Sequence, residues 1–143
     1  MLVSTRGRYA LRLMLTLAEN NHKEYLRLDT IAELQEISEK YLESIVRILV
    51  KAKMIEGLRG RGGGYRLTRN VNEYSVGEIL RLTEGSLAPV SCLDCKPNPC
   101  NRADKCKILP MWERLDTMIC DYLNHITLAD LQTPSPADRD TTR

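Results

Sequence analysis

Apolar residues recur at helical spacing in several stretches of the chain and alternate around glycines in one. Over residues 5–20, Ala10, Leu13, Met14 and Leu17 form one stripe, and Leu11, Leu15 and Ala18 form a second. A helix apolar on two faces is covered on two sides. The expected covers are the rest of its own module and the C-terminal helix. Asn20 to Lys23, with the isolated His22, reads as a turn, and Tyr25 to Leu28 as a short extended segment. Asp29 to Gln35 predicts a short helix carrying Ile31, Ala32 and Leu34. Ser38 offers an N-cap, and Glu39 to Lys53 predicts a second helix. Its Leu42, Ile45, Val46 and Leu49 face inward, while Glu39, Lys40, Glu43, Ser44, Arg47 and Lys51 face out. Two helices joined by a short turn, the second ending in basic residues, match a helix-turn-helix.

From Ile55 to Leu67 the pattern changes. Leu58, Tyr65 and Leu67 flank the run Gly60-Arg-Gly-Gly-Gly64 and predict two short strands joined by a glycine turn. Helix-turn-helix plus hairpin makes a winged helix, so the fold class expected is mainly α with a two-stranded β wing. Glycine runs also serve phosphate loops, but no Gly-Lys-Ser/Thr follows this one. Ser75-Val-Gly-Glu78 reads as a capping box before a helix containing Ile79, Leu80 and Leu82 that Gly85 closes. Pro110 opens the last helix. There Trp112, Leu115, Ile119, Tyr122 and Ile126 recur at alternating intervals of three and four, the a/d seam of a heptad repeat. Such a seam on a terminal helix predicts pairing with a second copy of the chain, the alternative being packing against its own domain. The expected organisation is a winged helix-turn-helix over 1–85, a cysteine-rich loop over 86–108, a dimerisation helix over 109–131 and a flexible tail over 132–143.

Charge sharpens this picture. The net charge is only +2, yet residues 47–69 hold Arg47, Lys51, Lys53, Arg59, Arg61, Arg66 and Arg69 against the single acid Glu56. A cluster of this sign points to a polyanion. No leader-like apolar run precedes Arg6 and Arg8, and no stretch reaches the ~18 apolar residues of a membrane span. The expected location is the cytoplasm.

Four of the five cysteines fall between Cys92 and Cys106, spaced C-x2-C-x4-C-x5-C among Pro97, Asn98, Pro99 and Asn101. A loop of this composition has no side chains with which to build a core, and a reducing compartment disfavours structural disulfides. Four thiolates suit zinc or an iron–sulfur cluster, and a thiol-sensing loop without cofactor stays open at this point. A thiol oxidoreductase wants its cysteine at a helix N-terminus, which Pro97 and Pro99 oppose. No acid–base pair or nucleophile triad is placed for catalysis, so the chain does not read as an enzyme. Cys120, on the last helix, reads as a small buried side chain, and His125 as a surface residue or reserve ligand.

Ser4-Thr-Arg-Gly-Arg-Tyr-Ala10, Ile37-Ser-Glu-Lys-Tyr-Leu-Glu43, Arg59-Gly-Arg-Gly-Gly-Gly-Tyr-Arg-Leu67, Ser75-Val-Gly-Glu78 and Ile126-Thr-Leu-Ala-Asp-Leu131 together resemble the IscR/NsrR/CymR (Rrf-type) family of bacterial winged-helix regulators. The resemblance spans about residues 1–131 and leans to the iron–sulfur branch typified by IscR. It implies a dimeric transcriptional regulator, in most readings a repressor, on a roughly palindromic double-stranded DNA site. Its operator binding would be controlled by a [2Fe–2S] or [4Fe–4S] cluster sensing iron–sulfur status, redox or nitric oxide stress. The CymR branch supplies the alternative, a cluster-free repressor under thiol or partner control, for example of cysteine metabolism. The implied DNA-contacting residues are Arg8, Ser38, Lys40, Tyr41, Glu43, Ser44, Arg47, Arg59, Arg61, Gly62, Gly63 and Tyr65. Cys92, Cys100 and Cys106 match the three cluster cysteines of that branch.

Several positions depart from the pattern. Arg61 stands at the wing's usual proline, and Glu36 where the helix-turn-helix turn often has a small residue. Leu109 replaces the histidine ligand of one branch, and Arg8 the acidic ligand of another. Cys95 is additional, and is the best available fourth ligand for an all-thiolate [2Fe–2S] site.

Overall fold

The computed structural model describes residues 2–20 and 24–133. Asn21, His22 and Lys23 of the expected turn, and the tail beyond Thr133, lie outside the described residues. Helix α1 (Thr5–Glu19) starts at Ser4, whose hydroxyl accepts from the Gly7 N–H at 3.1 Å. Helices α2 (Leu28–Gln35) and α3 (Glu39–Lys51) follow, then strands β1 (Ile55–Leu58) and β2 (Gly64–Leu67). Helices α4 (Val76–Glu84), α5 (Leu109–His125) and α6 (Leu128–Gln132) complete the chain. The fold is mainly helical with an antiparallel wing, in which Ile55 pairs with Leu67 and Leu58 with Gly64. The extended segment after α1 joins this sheet by a two-bond bridge, Leu26 to Tyr65, at 2.8 Å each way.

Both stripes of α1 are used. Ala10, Leu13 and Met14 are fully buried among Ile31, Leu42, Ile45, Leu49, Met54 and Ile55. The second side is covered by α4 and the short α6, so the cover expected from one C-terminal helix comes from its separate last piece. That expectation needs correcting because Ile126 breaks the helix. Thr127 then caps α6 in a reciprocal box with Asp130. A second cluster of Val76, Leu80 and Leu87 draws in Val3, Leu11, Leu123 and Ile126. Gly77 lets α4 meet α5 closely: a Cβ there would fall 2.2 Å from the Asn124 side-chain oxygen. That oxygen instead accepts from Arg81 at 2.7 Å.

The helix-turn-helix closes through Glu36, which adopts the left-handed conformation at φ 55°, ψ 42°. A residue with a Cβ loses about 1–2 kcal/mol there. Arg12 offsets the strain by bracing the turn: its Nε donates to Gln35 Oε1 at 2.8 Å and its Nη2 to the Gln35 carbonyl. Lys53 repeats the device after α3, with φ 59° and the Met54 N–H returning to the Leu49 carbonyl at 3.0 Å. This turn ends α3 two residues before the expected Lys53.

Ser75 caps α4 as expected, its hydroxyl accepting from the Glu78 N–H at 3.1 Å. The capping box itself does not close. The Glu78 carboxylate turns instead to Arg69, 3.0 Å away, because that guanidinium also stacks on Tyr74 at 4.3 Å. Tyr74 is fully buried. Its hydroxyl donates to the Met54 carbonyl at 2.6 Å and accepts from the Thr68 and Arg69 N–H groups at 3.0 Å each. Replacing Tyr74 with Phe leaves the Arg69 N–H without this acceptor and the Thr68 N–H with only its 3.4 Å bond to the Met54 carbonyl, and an unpaired interior donor is costly. Urea unfolding of Tyr74→Phe is expected to show a loss of about 2–3 kcal/mol with an unchanged m-value.

Candidate nucleic-acid interface and cysteine loop

One face of the molecule gathers α3, the start of α1 and the wing. Lys40, Glu43, Ser44 and Arg47 form an exposed ridge along α3. At its start the Ser38 hydroxyl accepts from the Tyr41 N–H at 3.1 Å. The cap leaves the hydroxyl proton free to donate, beside the positive end of the helix dipole. The Ser44 hydroxyl donates to the Tyr41 carbonyl at 2.7 Å, which leaves its oxygen as acceptor. Tyr41 is half-buried, edge-on to Tyr9 of α1 at 5.6 Å, and this contact fixes α1 against α3. Arg8 lies exposed one position away, its guanidinium donating to Thr5 Oγ1 at 3.1 Å.

Across from the ridge stands the wing. Gly60 and Gly62 take positive φ at the turn, and Arg59, Arg61 and Gly62 are exposed. Gly63 is buried inside the turn: a Cβ there would lie 2.2 Å from the Leu58 carbonyl oxygen. Tyr65 is half-buried, tied by its backbone to Leu26. The basic stretch divides into two groups. Arg66 pairs with Glu56, which holds the guanidinium pKa above its ordinary value, and Arg69 pairs with Glu78. Among the described residues Lys40, Arg47, Lys51, Arg59 and Arg61 make no ion pair. Those five are available to phosphate, whereas Arg66 and Arg69 are structural.

The cysteine segment joins α4 to α5 and carries two short 3-10 turns, Ser91–Leu93 and Ala103–Lys105. All five thiols are free; Cys95 and Cys100 are exposed, while Cys92 and Cys106 are half-buried. Among the described residues no three potential metal ligands are gathered into one group, so the structure does not bring the four loop cysteines together. Asn98 lies between them. Its side-chain oxygen accepts from the Cys100 N–H at 2.9 Å, and its amide nitrogen is buried with no hydrogen-bond partner. The four thiols of this loop are the donor set of a sulfur-rich anionic cluster, and the unused Asn98 N–H on the same loop is a donor that cluster sulfurs accept. Cys120 is half-buried rather than buried, its sulfur 3.9 Å from Asp116 Oδ1. It lines a cavity of about 200 Å3 with Leu93 and Asp94 of the loop. His125 ends α5, ~24 Å along the helix axis from Leu109, and its Nδ1 is engaged by the Asp121 carbonyl.

Helix α5 buries none of its side chains fully. Met111, Leu115, Met118 and Tyr122 are exposed and recur at intervals of four, three and four. Trp112 and Ile119 are half-buried. Ile126 lies past the helix end and packs within its own chain, its carbonyl accepting from the Val76 N–H at 2.8 Å. The sequence reading missed Met111 and Met118, which the same 3–4 spacing would have found. Tyr74 and Arg12 gave no periodic signal to find.

The comparisons with known proteins agree with this geometry. Residues 3–134 match the family model Rrf2, described as an iron-dependent transcriptional regulator. The chain belongs to the Rrf2 family. It is 33% identical over 133 residues to the HTH-type transcriptional regulator IscR of Vibrio parahaemolyticus, covering 93% of this chain and 78% of that protein. It is 35% identical over 131 residues to IscR of Pectobacterium atrosepticum, covering 92% and 79%. Among solved structures it is similar to CymR, the global cysteine regulator of B. subtilis, with TM-score 0.78 and 31% identity over 94% of this chain and 98% of that one. T. potens IscR gives TM-score 0.75 and 31% identity over 100% and 92%. The protein is therefore an IscR-like, DNA-binding transcriptional regulator of the Rrf2 family. CymR and IscR share its shape, and the IscR relatives favour that branch over the CymR alternative. No described helix is long and apolar enough to cross a membrane.

Charge assignment on this face is open to a direct check. Exchanging Arg59 and Arg61 together for Gln is expected to flatten the slope of log K against log salt by about 1.8, roughly 0.9 for each phosphate no longer neutralised. Arg69→Gln, by contrast, lowers stability and leaves that slope nearly unchanged, because its charge is already spent on Glu78. Titrations at several salt concentrations separate the two.

Proposed function

We propose that the protein is a homodimeric repressor that binds a roughly palindromic operator, with affinity set by an iron–sulfur cluster on Cys92, Cys95, Cys100 and Cys106. The observation that carries the reading is the placement of four thiols on the one segment joining α4 to α5. Helix α4 packs on the DNA-reading module, and α5 presents the exposed apolar stripe. When bound, the cluster supplies one-electron redox chemistry and a target for oxidants and nitric oxide. Everything else falls to the chain. The four thiolates close the loop, and Asn98 offers the hydrogen-bond donor. Leu109 at the helix start has no group with which to ligate.

On the DNA side, Ser38, Lys40, Tyr41, Glu43 and Ser44 stand where the recognition helix meets base edges. Glu43 repels phosphate, so its carboxylate suits a base-edge donor such as the cytosine amine. Arg8, Arg47, Arg59 and Arg61 suit phosphates or the minor groove. Gly62 leaves the wing tip narrow; Gly63 and Tyr65 shape it from within. Dimerisation through Leu115, Met118 and Tyr122, flanked by Trp112 and Ile119, would place two recognition helices about one helical turn of DNA apart.

Two experiments test the reading. Anaerobic iron and sulfide analysis of the four single Cys→Ala variants is expected to show loss of cluster in each, Cys95→Ala included. Full iron, sulfide and an unchanged visible spectrum in Cys95→Ala would remove that residue as a ligand. In sedimentation, Met118→Glu is expected to be monomeric and to bind DNA at least tenfold more weakly, since an unpaired charge in an apolar seam is strongly unfavourable. An unchanged dimer in that variant would place the interface elsewhere.

A further inference from the structure

Away from the DNA-facing surface, one contact joins the start of the cysteine segment to the start of α1. Glu84 is the last residue of α4, and Gly85 turns the chain out of that helix toward the thiols. The half-buried Glu84 side chain reaches α1. Its Oε1 accepts from the Ser4 N–H at 3.1 Å and from the Ser4 hydroxyl. That hydroxyl in turn caps α1 by accepting from the Gly7 N–H. A relay of hydrogen bonds therefore runs from the carboxylate into the first turn of α1, at the positive end of the helix dipole. Gly7 makes the approach possible: a Cβ there would lie 2.3 Å from Glu84 Oε1.

A second tie follows the turn. Leu87 is 4% exposed and shares its apolar cluster with Val3 and Leu11. Four residues separate it from Cys92, and they hold little slack. The Ala88 N–H donates to Ser86 Oγ, and the Leu93 N–H to the Val90 carbonyl, at 3.1 Å each. The side of α1 bears on the reading unit. Tyr9 meets Tyr41 of α3 edge-on, while Arg12 lies over the Tyr9 ring and holds the turn at Gln35. Helix α1 is thus a rod, fixed at one end to the cysteine segment and along its side to the first turn of α3. We infer that Glu84 is a positioning residue for DNA binding: through Ser4, Gly7 and α1 it transmits the state of the cysteine segment to the recognition helix. The two-state element at the origin of this link is the segment itself, ordered or released. The link lies within one chain, so it orients each recognition helix separately from any change in the spacing of two subunits. It uses an oxygen as acceptor, so an amide oxygen can stand in for the carboxylate. The inference rests on the cluster-control reading and adds the contact through which control acts.

The test uses the full-length dimer and a duplex selected by the wild-type protein from a random pool. Its affinity is measured anaerobically on loaded protein and on the same preparation stripped of cluster. Hydrogen exchange of the first-turn amides of α1 is followed in both states without DNA. In the wild type the two affinities are expected to differ about tenfold or more, and the α1 amides to exchange at different rates. Glu84→Ala should keep its iron, sulfide and visible spectrum and still bind the duplex, with loaded and stripped affinities within about twofold of each other. Gly7→Ala attacks the same contact from the other side, wedging the carboxylate away while favouring the helix. It should behave like Glu84→Ala, and Glu84→Gln should keep the wild-type ratio. A merely structural role would lower the thermal midpoint of Glu84→Ala and leave the ratio of affinities at the wild-type value. That retained ratio in both Glu84→Ala and Gly7→Ala would overturn the inference alone. Loss of iron and sulfide from Glu84→Ala would also overturn it, by making Glu84 a support of the loop. Equal affinities of loaded and stripped wild type would instead overturn the cluster-control reading beneath it.

Discussion

The hydroxyl of Tyr74 is the point through which the two halves of this molecule are joined. It sits at no exposure to solvent and satisfies three backbone groups, one from the end of the helix-turn-helix unit and two from the base of the wing. The Tyr74 carbonyl accepts from the Leu128 N–H at 3.1 Å, which anchors α6, and the next residues open α4. Three backbone groups converging on one buried hydroxyl couple the elements that carry them. A shift of α4 therefore cannot leave the wing where it is. The Arg69 guanidinium reinforces the joint by stacking on the Tyr74 ring while pairing with Glu78 of α4.

That joint also explains how the chain distributes its charge. A basic stretch in which every cation met a carboxylate would offer nothing to DNA. Here the arginines nearest the joint are neutralised internally, and those on the α3 ridge and wing tip are not. The same residue type thus serves structure and recognition, separated only by whether an acid stands opposite. Surface pairs contribute little to stability. The paired arginines matter chiefly because they fix strand and helix ends where the exposed ones must be aimed.

Much of this was legible in the sequence because the signals are local. Helical spacing fixes α1 and α3, the side chain of Ser38 fixes the start of the recognition helix, and the glycine run fixes the wing. The resemblance to the Rrf-type regulators rested on these same motifs, and the family match confirms it. What sequence could not give depends on contacts between distant residues. The Glu78 carboxylate chooses Arg69 over its own helix end. The break at Ile126 follows from pairing with Val76, and the burial of Tyr74 from wing and helix converging on it. The exposed stripe on α5 falls on Met111, Leu115, Met118 and Tyr122, whereas Leu123 and Ile126 are drawn to the chain's own second cluster. The loop cysteines were recognisable as donors, yet spacing alone does not say how far apart the fold holds them.

The loop occupies the connection that leads from α4, tied to the base of the wing through Glu78 and Arg69, to α5, which packs chiefly on α4. Ordering that loop around a cluster would set the angle between them, and with it the separation of two recognition helices in a dimer. The most direct test compares operator affinity of one preparation before and after anaerobic removal of its cluster, at one salt concentration and with the dimer verified by sedimentation. Cluster control of the dimer predicts at least a tenfold change in Kd with the protein remaining folded and dimeric. Equal affinities of the loaded and stripped dimers would contradict it.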